Sequence, residues 1–547
     1  MEDVMKRNAL FVLFLLAFCG VWVFGGGRSQ SSGSDSSGAP VKLTVAIAEN
    51  LRVENFKTNY QTRLIEQGSN TDLEFIEFAS TDYVTRLNLM VMAGGSELPD
   101  IIVAAPGDAM VYQWAREGAI LPLKKYYDDP SLSPNIRDAL ARSGYDFKVE
   151  ITSPDGDIYG IPGVNQLVGN ELQDKIWHYQ PWVDKLGIKI PTNTDEFRAY
   201  LQAVVSTDLN GNGRADELGL AGHFRNSIQN AWFRYLMNPF VYVGNQSYNI
   251  DNGVISVPYN TEAWRAGLKY IRSLFADGLL ALEILTQDDN QVRTLCNSDP
   301  VRVASFFMTS ASLINSDDVA VQYLVAPPLK GTNGTQYSTI IPSVANIRFM
   351  ISANCKNPEA AFRVGDVMMR EDVSITNRFG ERGVNWDYPE DNPGFVPRCI
   401  PFLEGWPGKA IIYDDGAYWS GSSVQNAGWR EAAPGCISYA VQHGRLIPRE
   451  LMVGRQGNNS IAMSMYTIEA FGPKEILGKL IYNEDENALM SEVQTTLNNY
   501  VHEMTSNFLA GNRDIDSSWN AYVAELNTIG LPRVLATVQR VYDRMYK

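Results

Sequence analysis

Positive charge is what this chain is short of. Its 46 Lys and Arg stand against 62 Asp and Glu, a formal net charge of −16 with a sequence pI near 4.9. Nucleic-acid binding depends on Lys and Arg neutralising phosphates, so the composition argues against a nucleic-acid partner. It disfavours non-specific adhesion to anionic lipid for the same reason. A local basic cleft is still compatible with an acidic surface, which leaves an anionic small ligand open. Histidine is scarce: the four, at 178, 223, 443 and 502, form no H-E-x-x-H or i, i+4 pair. Neither a G-x-S-x-G nucleophile elbow nor a Walker-type glycine loop occurs. Cysteine is rare too, and none of the five sits in the C-x-x-C spacing of zinc and dithiol sites. Beyond Cys19, the cysteines at 296, 355, 399 and 436 allow three pairings in an exported chain. A protein of this length folds without them, so they are read as structural or free. Glycoside hydrolysis needs only two facing carboxylates, and no spacing among the acids points to such a pair.

Long apolar runs are missing as well, apart from Ala9 to Phe24, interrupted only by Gly20 and preceded by Lys6-Arg7. Positive charge before an apolar core too short for a comfortable membrane span describes a secretory leader. Glu2 and Asp3 are foreign to such a leader, which favours Met5 as the true start. Two processing routes stand side by side. Leu16-Ala17-Phe18-Cys19 resembles a lipobox with Cys19 as the acylated residue, and Val23-Phe24-Gly25 suits ordinary signal peptidase. Both export the chain. Residues 1–25 are therefore assigned to the leader and 26–40 to a Gly/Ser tether with nothing apolar to bury.

After the tether the composition is ordinary, with 45% hydrophobic and 20% charged residues, and the length allows two or three cores. Lys42 to Ala48 alternates, as do Leu73, Phe75 and Phe78, and both predict strands. Arg52 to Gln67 between them reads as helix. A second helix follows Ser80-Thr81-Asp82 and stops at Gly94-Gly95, before a third strand beginning at Pro99-Asp100. Strand–helix alternation of this kind predicts a parallel sheet layered by helices. Residues 167–285 read as largely helical. Strand-like runs return at Val303–Phe307, Tyr323–Ala326 and Ile347–Ile351, and the C-terminal third is helical again. A chain that alternates between sheet and helical regions suggests two lobes with a ligand cleft at their interface.

Asp208-Leu-Asn210-Gly-Asn212-Gly213-Arg214-Ala-Asp216-Glu217 places side-chain oxygens at alternate positions. Calcium takes six to eight oxygen ligands, and an EF-hand loop begins with this spacing. Asp208, Asn210 and Asn212 would each give one oxygen, Arg214 its backbone carbonyl, and Asp216 and Glu217 carboxylates. No bidentate Glu stands at the twelfth position, so the loop is not a complete EF-hand. A polar Asn-Gly turn is the plainer alternative. A structural Ca2+ is the expectation.

The same stretch carries a resemblance. Trp182-Val-Asp184-Lys185-Leu186-Gly187 through Pro191, Asp195-Glu196-Phe197 and the acidic loop is similar to the oligosaccharide-type extracellular solute-binding proteins of ABC importers. The alginate-oligosaccharide binders are among them. The similarity continues through Leu98-Pro99-Asp100-Ile101-Ile102, Ile158-Tyr159-Gly160-Ile161-Pro162 and Lys356-Asn357-Pro358-Glu359-Ala360-Ala361. Phe379-Gly380-Glu381-Arg382-Gly383-Val384-Asn385-Trp386 and a C-terminal run from Phe508 to Leu531 complete it. The resemblance implies a type II-like two-lobed α/β fold of the periplasmic binding-protein kind, each lobe a sheet layered by helices, the second lobe rich in helix. Lobe I is expected at 41–160 and 320–375, and lobe II at 161–319 and 376–547. It implies a monomeric extracytoplasmic receptor that hands an oligosaccharide to membrane permeases, tethered through Cys19 if that residue is acylated. A secreted glycoside hydrolase or lyase is the alternative, and a peptide receptor ranks third.

Sugar rings present apolar C–H faces that stack on aromatic planes, and 11 Trp and 26 Tyr are available. Trp386, in a region that relatives present to ligand, is the leading stacking candidate. Trp232 and Tyr235 are placed on the cleft from the helical lobe, and Trp419 and Trp429 in an aperiodic, polar, aromatic-rich segment. Trp182 and Trp519, at apolar helical positions, are assigned to the core. Relatives usually carry an acid where Arg382 stands, which hints at tolerance of an anionic ligand. Glu49 and Thr309 follow predicted strands, where open α/β sheets bind ligands.

Overall fold

Asn59 shows how the first helix is set. Its side chain accepts the backbone N–H of Gln61 at 3.0 Å and caps the helix Tyr60–Ser69. The helix therefore starts later than the apolar pattern from Arg52 predicts. Residues 52–58 turn instead, because Asn50 and Asn55 accept from the N–H groups of Arg52 and Thr58 and compete with helical bonds. The computed structural model describes residues 38–167, 171–172, 174–224, 227–308, 313–391, 410–412, 424–443 and 469–547. Cys19, Thr309, Cys399 and Trp419 lie outside them. Among the described residues no helix is long and apolar enough to cross a membrane.

The first lobe is built on a six-stranded sheet. Its order is Gly435–Ile437, Ile161–Asn165, Asn346–Ile351, Ile101–Val103, Val41–Ala48 and Thr71–Phe78. Only Asn346–Ile351 runs against the others. The C-terminal ends of five strands and the start of Asn346–Ile351 therefore share one edge. Central strands are apolar on both faces, as Val45-Ala46-Ile47 and Ile101-Ile102-Val103 show, because helices cover the sheet on each side. One cluster of buried side chains runs from Leu43 to Val164, returns with Ala345 to Val373 and ends with Trp429, Ala433 and Cys436.

The second lobe has a smaller, antiparallel sheet ordered Ser305–Phe307, Ile176–Tyr179, Tyr323–Val325. Ile176–Tyr179 falls inside the region read as helical. Lys175 and His178 hide its apolar pattern, yet both are fully buried, with His178 Nδ1 2.8 Å from Ser305 Oγ. A large helical core joins Ile176 through Leu329 to the C-terminal helices Thr495–Ala510, Ile515–Ile529 and Leu531–Tyr546. Trp182 and Trp519 belong to it, as the sequence suggests.

The cores divide the chain at other points than the expected boundaries 161, 320 and 376. Ile161–Asn165 and Gly435–Ile437 complete the first sheet, and Tyr323–Val325 belongs to the second. Strand pairing, which couples residues hundreds apart, decides these boundaries. The chain leaves the first lobe after Asn165 and returns before Asn346, so both crossings lie beside that shared edge of the first sheet. Cys296, Cys355 and Cys436 are buried free thiols.

Candidate functional site

A cleft of about 580 Å³ opens at that edge, beyond the ends of Ile161–Asn165 and Gly435–Ile437 and the start of Asn346–Ile351. Ligands of open α/β sheets bind at this kind of edge. The crossing segment Ile341-Pro342-Ser343-Val344 forms one wall, and Leu167 and Glu171 of the other crossing adjoin it. The polar lining includes Asn165, Glu171, Arg348, Asn377, Arg378 and Glu431, besides Ser343, Asn346 and Ser374.

Glu431 is the hub. Its side chain pairs with the guanidinium of Arg378 and accepts from Asn165 Nδ2 at 3.3 Å. Its carbonyl accepts from Arg348, and its own N–H donates to the carbonyl of Asn377 at 3.0 Å. Arg430 and Glu431 both adopt left-handed backbone, φ 52° and 65°, a conformation costly for residues with a Cβ. Arg348 reaches across because the ladder slips at this point: a bulge separates Ile347 from Phe349 where they pair with Ile161–Asn165. Gly163 makes room for it, since a Cβ there would stand 2.7 Å from Arg348 Cδ. Asn377 and Arg378 come from the last turn of Glu371–Phe379, a helix buried on all sides from Val373 onward. Asn377 Nδ2 donates to the carbonyl of Ala433 at 3.1 Å, while its buried Oδ1 accepts nothing among the described residues. Tyr439, outside the lining, donates its hydroxyl to Glu171 at 2.5 Å. Behind the crossing, burial pushes the Lys175 ammonium down to about 7 against the pull of Asp174.

The aromatic residues singled out from the sequence are placed otherwise. Trp386 is fully buried, packed with Ile375, Phe379, Ile437 and Val441, and its indole N–H donates to Gly380 O at 2.8 Å. Trp429 is fully buried against Phe56 and Phe75, with Nε1 donating to Thr62 Oγ1 at 2.9 Å. Trp232 donates to the carbonyl of His223 and Tyr235 to that of Pro327, both inside the helical core. Rings without an exposed face offer a sugar nothing to stack on, so these four are core residues. No described residue lining the cleft is aromatic. Arg382 is committed to Asp387 at 3.0 Å and to Asp391, and lies over the Tyr388 ring. Glu49 is exposed at the same sheet edge, beyond the end of Val41–Ala48, and does not line the cleft.

Sequence reasoning passed over Asn165, Arg348, Asn377 and Arg378, and took in Glu431 only as the end of the polar, aromatic-rich segment that holds Trp419 and Trp429. One signal was available: Arg348 is the one charge in the run Ile347–Ile351, otherwise apolar, where a charge needs a reason. Asn377-Arg378 directly precede Phe379-Gly380 and Glu431 stands two residues after Trp429, but proximity alone assigns them nothing.

The 208–217 loop is tightly organised. Asp208 Oδ1 accepts from the N–H groups of Gly211 and Asn212, and Oδ2 from that of Gly213 at 2.8 Å. Asn210 and Asn212 accept from the N–H groups of Asn212 and Arg214 in turn. The Asn212 amide, and then Arg302, hold the Asp216 carboxyl below its usual range. Lys185 donates to the carbonyls of Asp208 and Leu209, which ties the loop to the helix Gln180–Leu186. Glu217 is buried. Its Oε1 accepts from Leu209 and Asn210, and its Oε2 has no hydrogen-bond partner among the described residues. Among the described residues no three His, Cys, Asp or Glu side chains converge as a metal group. A cation here would need amide and backbone oxygens as well, which is calcium's donor chemistry, and the orphaned Glu217 oxygen fits such a role.

The model of the family described as bacterial extracellular solute-binding protein matches residues 56–373. The fructooligosaccharide ABC transporter substrate-binding protein FusA of Streptococcus pneumoniae is 23% identical over 88% of this chain and 86% of its own length. Among solved structures, an extracellular solute-binding protein from Bifidobacterium longum subsp. infantis superposes with a TM-score of 0.72 at 19% identity. That match covers 94% of this chain and all of the other. An EF-hand mutant of FusA in complex with fructo-nystose gives 0.65 at 19% identity, over 92% and 99% of the two chains. The alginate-binding protein AlgQ2, solved without calcium ion, gives 0.59 at 19% identity over 92% and 98% of the two chains.

Proposed function

The chain belongs to the bacterial extracellular solute-binding protein family, and from that premise we propose that it captures an oligosaccharide and delivers it to the permeases of an ABC importer. The cleft at the shared strand edge carries this reading. It lies where two lobes meet, and its amide, carboxylate and guanidinium groups suit the many hydroxyls of a sugar. Hinged closure of the lobes about the crossing segments would enclose the ligand. The name of the pneumococcal relative, a fructooligosaccharide receptor, supports the same class of ligand. The protein acts as a monomer outside the membrane, and both processing routes of its leader would place it there. It binds its sugar without altering it.

The 208–217 loop holds a structural calcium through Asp208, Asn210, Asn212, the Arg214 carbonyl, Asp216 and Glu217. The ion supplies cross-linking of the loop and takes no part in sugar chemistry. The EF-hand mutant of FusA and the alginate-binding protein AlgQ2 solved without calcium ion, both similar in fold, support this role.

Thermal melting in the presence of a glycan panel tests the receptor reading, because a ligand bound only by the folded state raises the melting temperature. The same incubations are analysed for cleavage products. Stabilisation by an intact oligosaccharide is the expected result. Turnover at enzymatic rates, or stabilisation by peptides alone, would overturn it.

A further inference from the structure

We infer that the cleft selects an uncharged oligosaccharide and rejects uronates, with Glu431 as the residue that sets this specificity. The inference rests on the receptor reading above and deepens it.

The described lining contains two cations, Arg348 and Arg378, and two anions, Glu171 and Glu431. Their charges balance, and the pairing is local. Arg378 is paired with the Glu431 carboxylate, with only 9% of the Arg378 side chain exposed. Arg348 is directed to the Glu431 carbonyl. Arg382, the other basic candidate, is paired with Asp387 and Asp391. Recognition of a carboxylate draws its strength from a guanidinium fork turned toward the ligand. Here that position is taken by a carboxylate of the protein itself.

An incoming uronate has two routes, and both are unfavourable. Lying beside the Arg378–Glu431 pair, it would meet the Glu431 charge in a partly dry cleft. Displacing Glu431 from Arg378 would leave a half-buried carboxylate without its cation, and breaking one side of such a pair is strongly destabilising. A neutral sugar meets neither obstacle. Its hydroxyls can donate to Glu431 and Glu171 and accept from the Asn165 amide while the ion pair stays whole. The protein maintains Glu431 in this place at a backbone cost, since both Arg430 and Glu431 are held left-handed. Bonds from four other residues converge on it: Asn165, Arg348, Asn377 and Arg378.

Titration calorimetry on the exported chain, without its leader, compares neutral fructo- and gluco-oligosaccharides with oligogalacturonates and oligoalginates of equal length. The expected result is a neutral sugar bound at least about tenfold more tightly than any uronate. A uronate bound as tightly or more so overturns the inference and leaves the receptor reading intact. Absence of binding to any sugar overturns the receptor reading, and the inference with it. Glu431→Gln should shrink the preference for neutral over charged sugars by about tenfold, and an unchanged ratio overturns the role of Glu431. If that variant does not fold, ionic strength serves on the native protein. Affinity for the preferred sugar should change by less than about twofold as salt rises through the range that screens exposed charges, whereas a fall of about tenfold would signal charge recognition and overturn the inference.

Discussion

Trp386 donates its indole N–H to the carbonyl of Gly380 at 2.8 Å. The bond ties a buried ring to the end of the helix Glu371–Phe379, whose last turn sends Asn377 and Arg378 into the cleft. Gly380 closes the helix at φ 94°, a conformation that suits glycine, and Trp386 fills the space behind it. The ring therefore reaches the ligand only through the groups it positions.

Trp386→Ala should accordingly cost about 3–5 kcal/mol of stability, as emptying a core Trp site does. Sugar affinity should fall as a consequence of the loosened helix end. A melting curve and a binding isotherm on the same variant separate the roles. An unchanged melting temperature with lost binding would return Trp386 to direct contact with ligand.

Asn165→Ala tests the wall itself. Its amide bridges Glu431 Oε1 at 3.3 Å and Gln442 Nε2 at 2.7 Å, at the mouth of the cleft. Losing a net hydrogen bond of about 1 kcal/mol should weaken sugar binding by roughly five- to tenfold and shift the melting temperature little. Unaltered affinity in calorimetry would remove Asn165 from the site.

Chelation should lower the melting temperature, because a metal bound only by the folded loop adds to stability. Asp208→Ala should start lower and no longer respond to chelator. Glu217→Gln, which keeps the shape of the buried side chain but removes its charge, should reduce calcium affinity. Elemental analysis of the purified protein provides the direct check. A metal-free protein whose melting curve ignores chelator would end the calcium assignment.

His178 gives a pH dependence. Burial pushes its imidazole down to about 3 from an ordinary value near 6.5. Below the ordinary value the unfolded chain takes up a proton that the native site refuses, so stability is complete above about 6.5 and lost progressively as pH falls toward 3. Burial lowers His502 as well, which adds to the same trend. His178→Gln should melt with a shallower decline between about pH 6.5 and 4.5 than the parent, and parallel declines would show that His178 is not the cause.

Local pattern placed several elements well. The strand over Val41–Ala48 follows from its alternation, and Tyr83–Met92 lies between Asp82 and Gly94 as its flanking residues imply. Ile176–Tyr179 was hidden, because a buried Lys and His look polar until Ser305 and the surrounding core are in place. The aromatics were misjudged for a related reason. Trp429 occurs in a stretch that reads as loop-like and Trp232 in one that reads as helical, and only packing shows which rings lose all exposure.

The sequence by itself determined the class of the protein: an α/β chain long enough for two lobes, the acidic loop at 208–217, and motifs whose order identifies a solute-binding protein. These features are local, and neighbouring residues are enough to express them. Tertiary structure alone decided the cleft. Asn165, Arg348, Asn377 and Glu431 lie far apart along the chain and meet only because strand pairing brings Ile161–Asn165, Asn346–Ile351 and Gly435–Ile437 side by side. A charge in a strand gains meaning from its partner. For Arg348 and Arg378 that partner is Glu431, held in place by a left-handed turn and three elements that no local pattern connects.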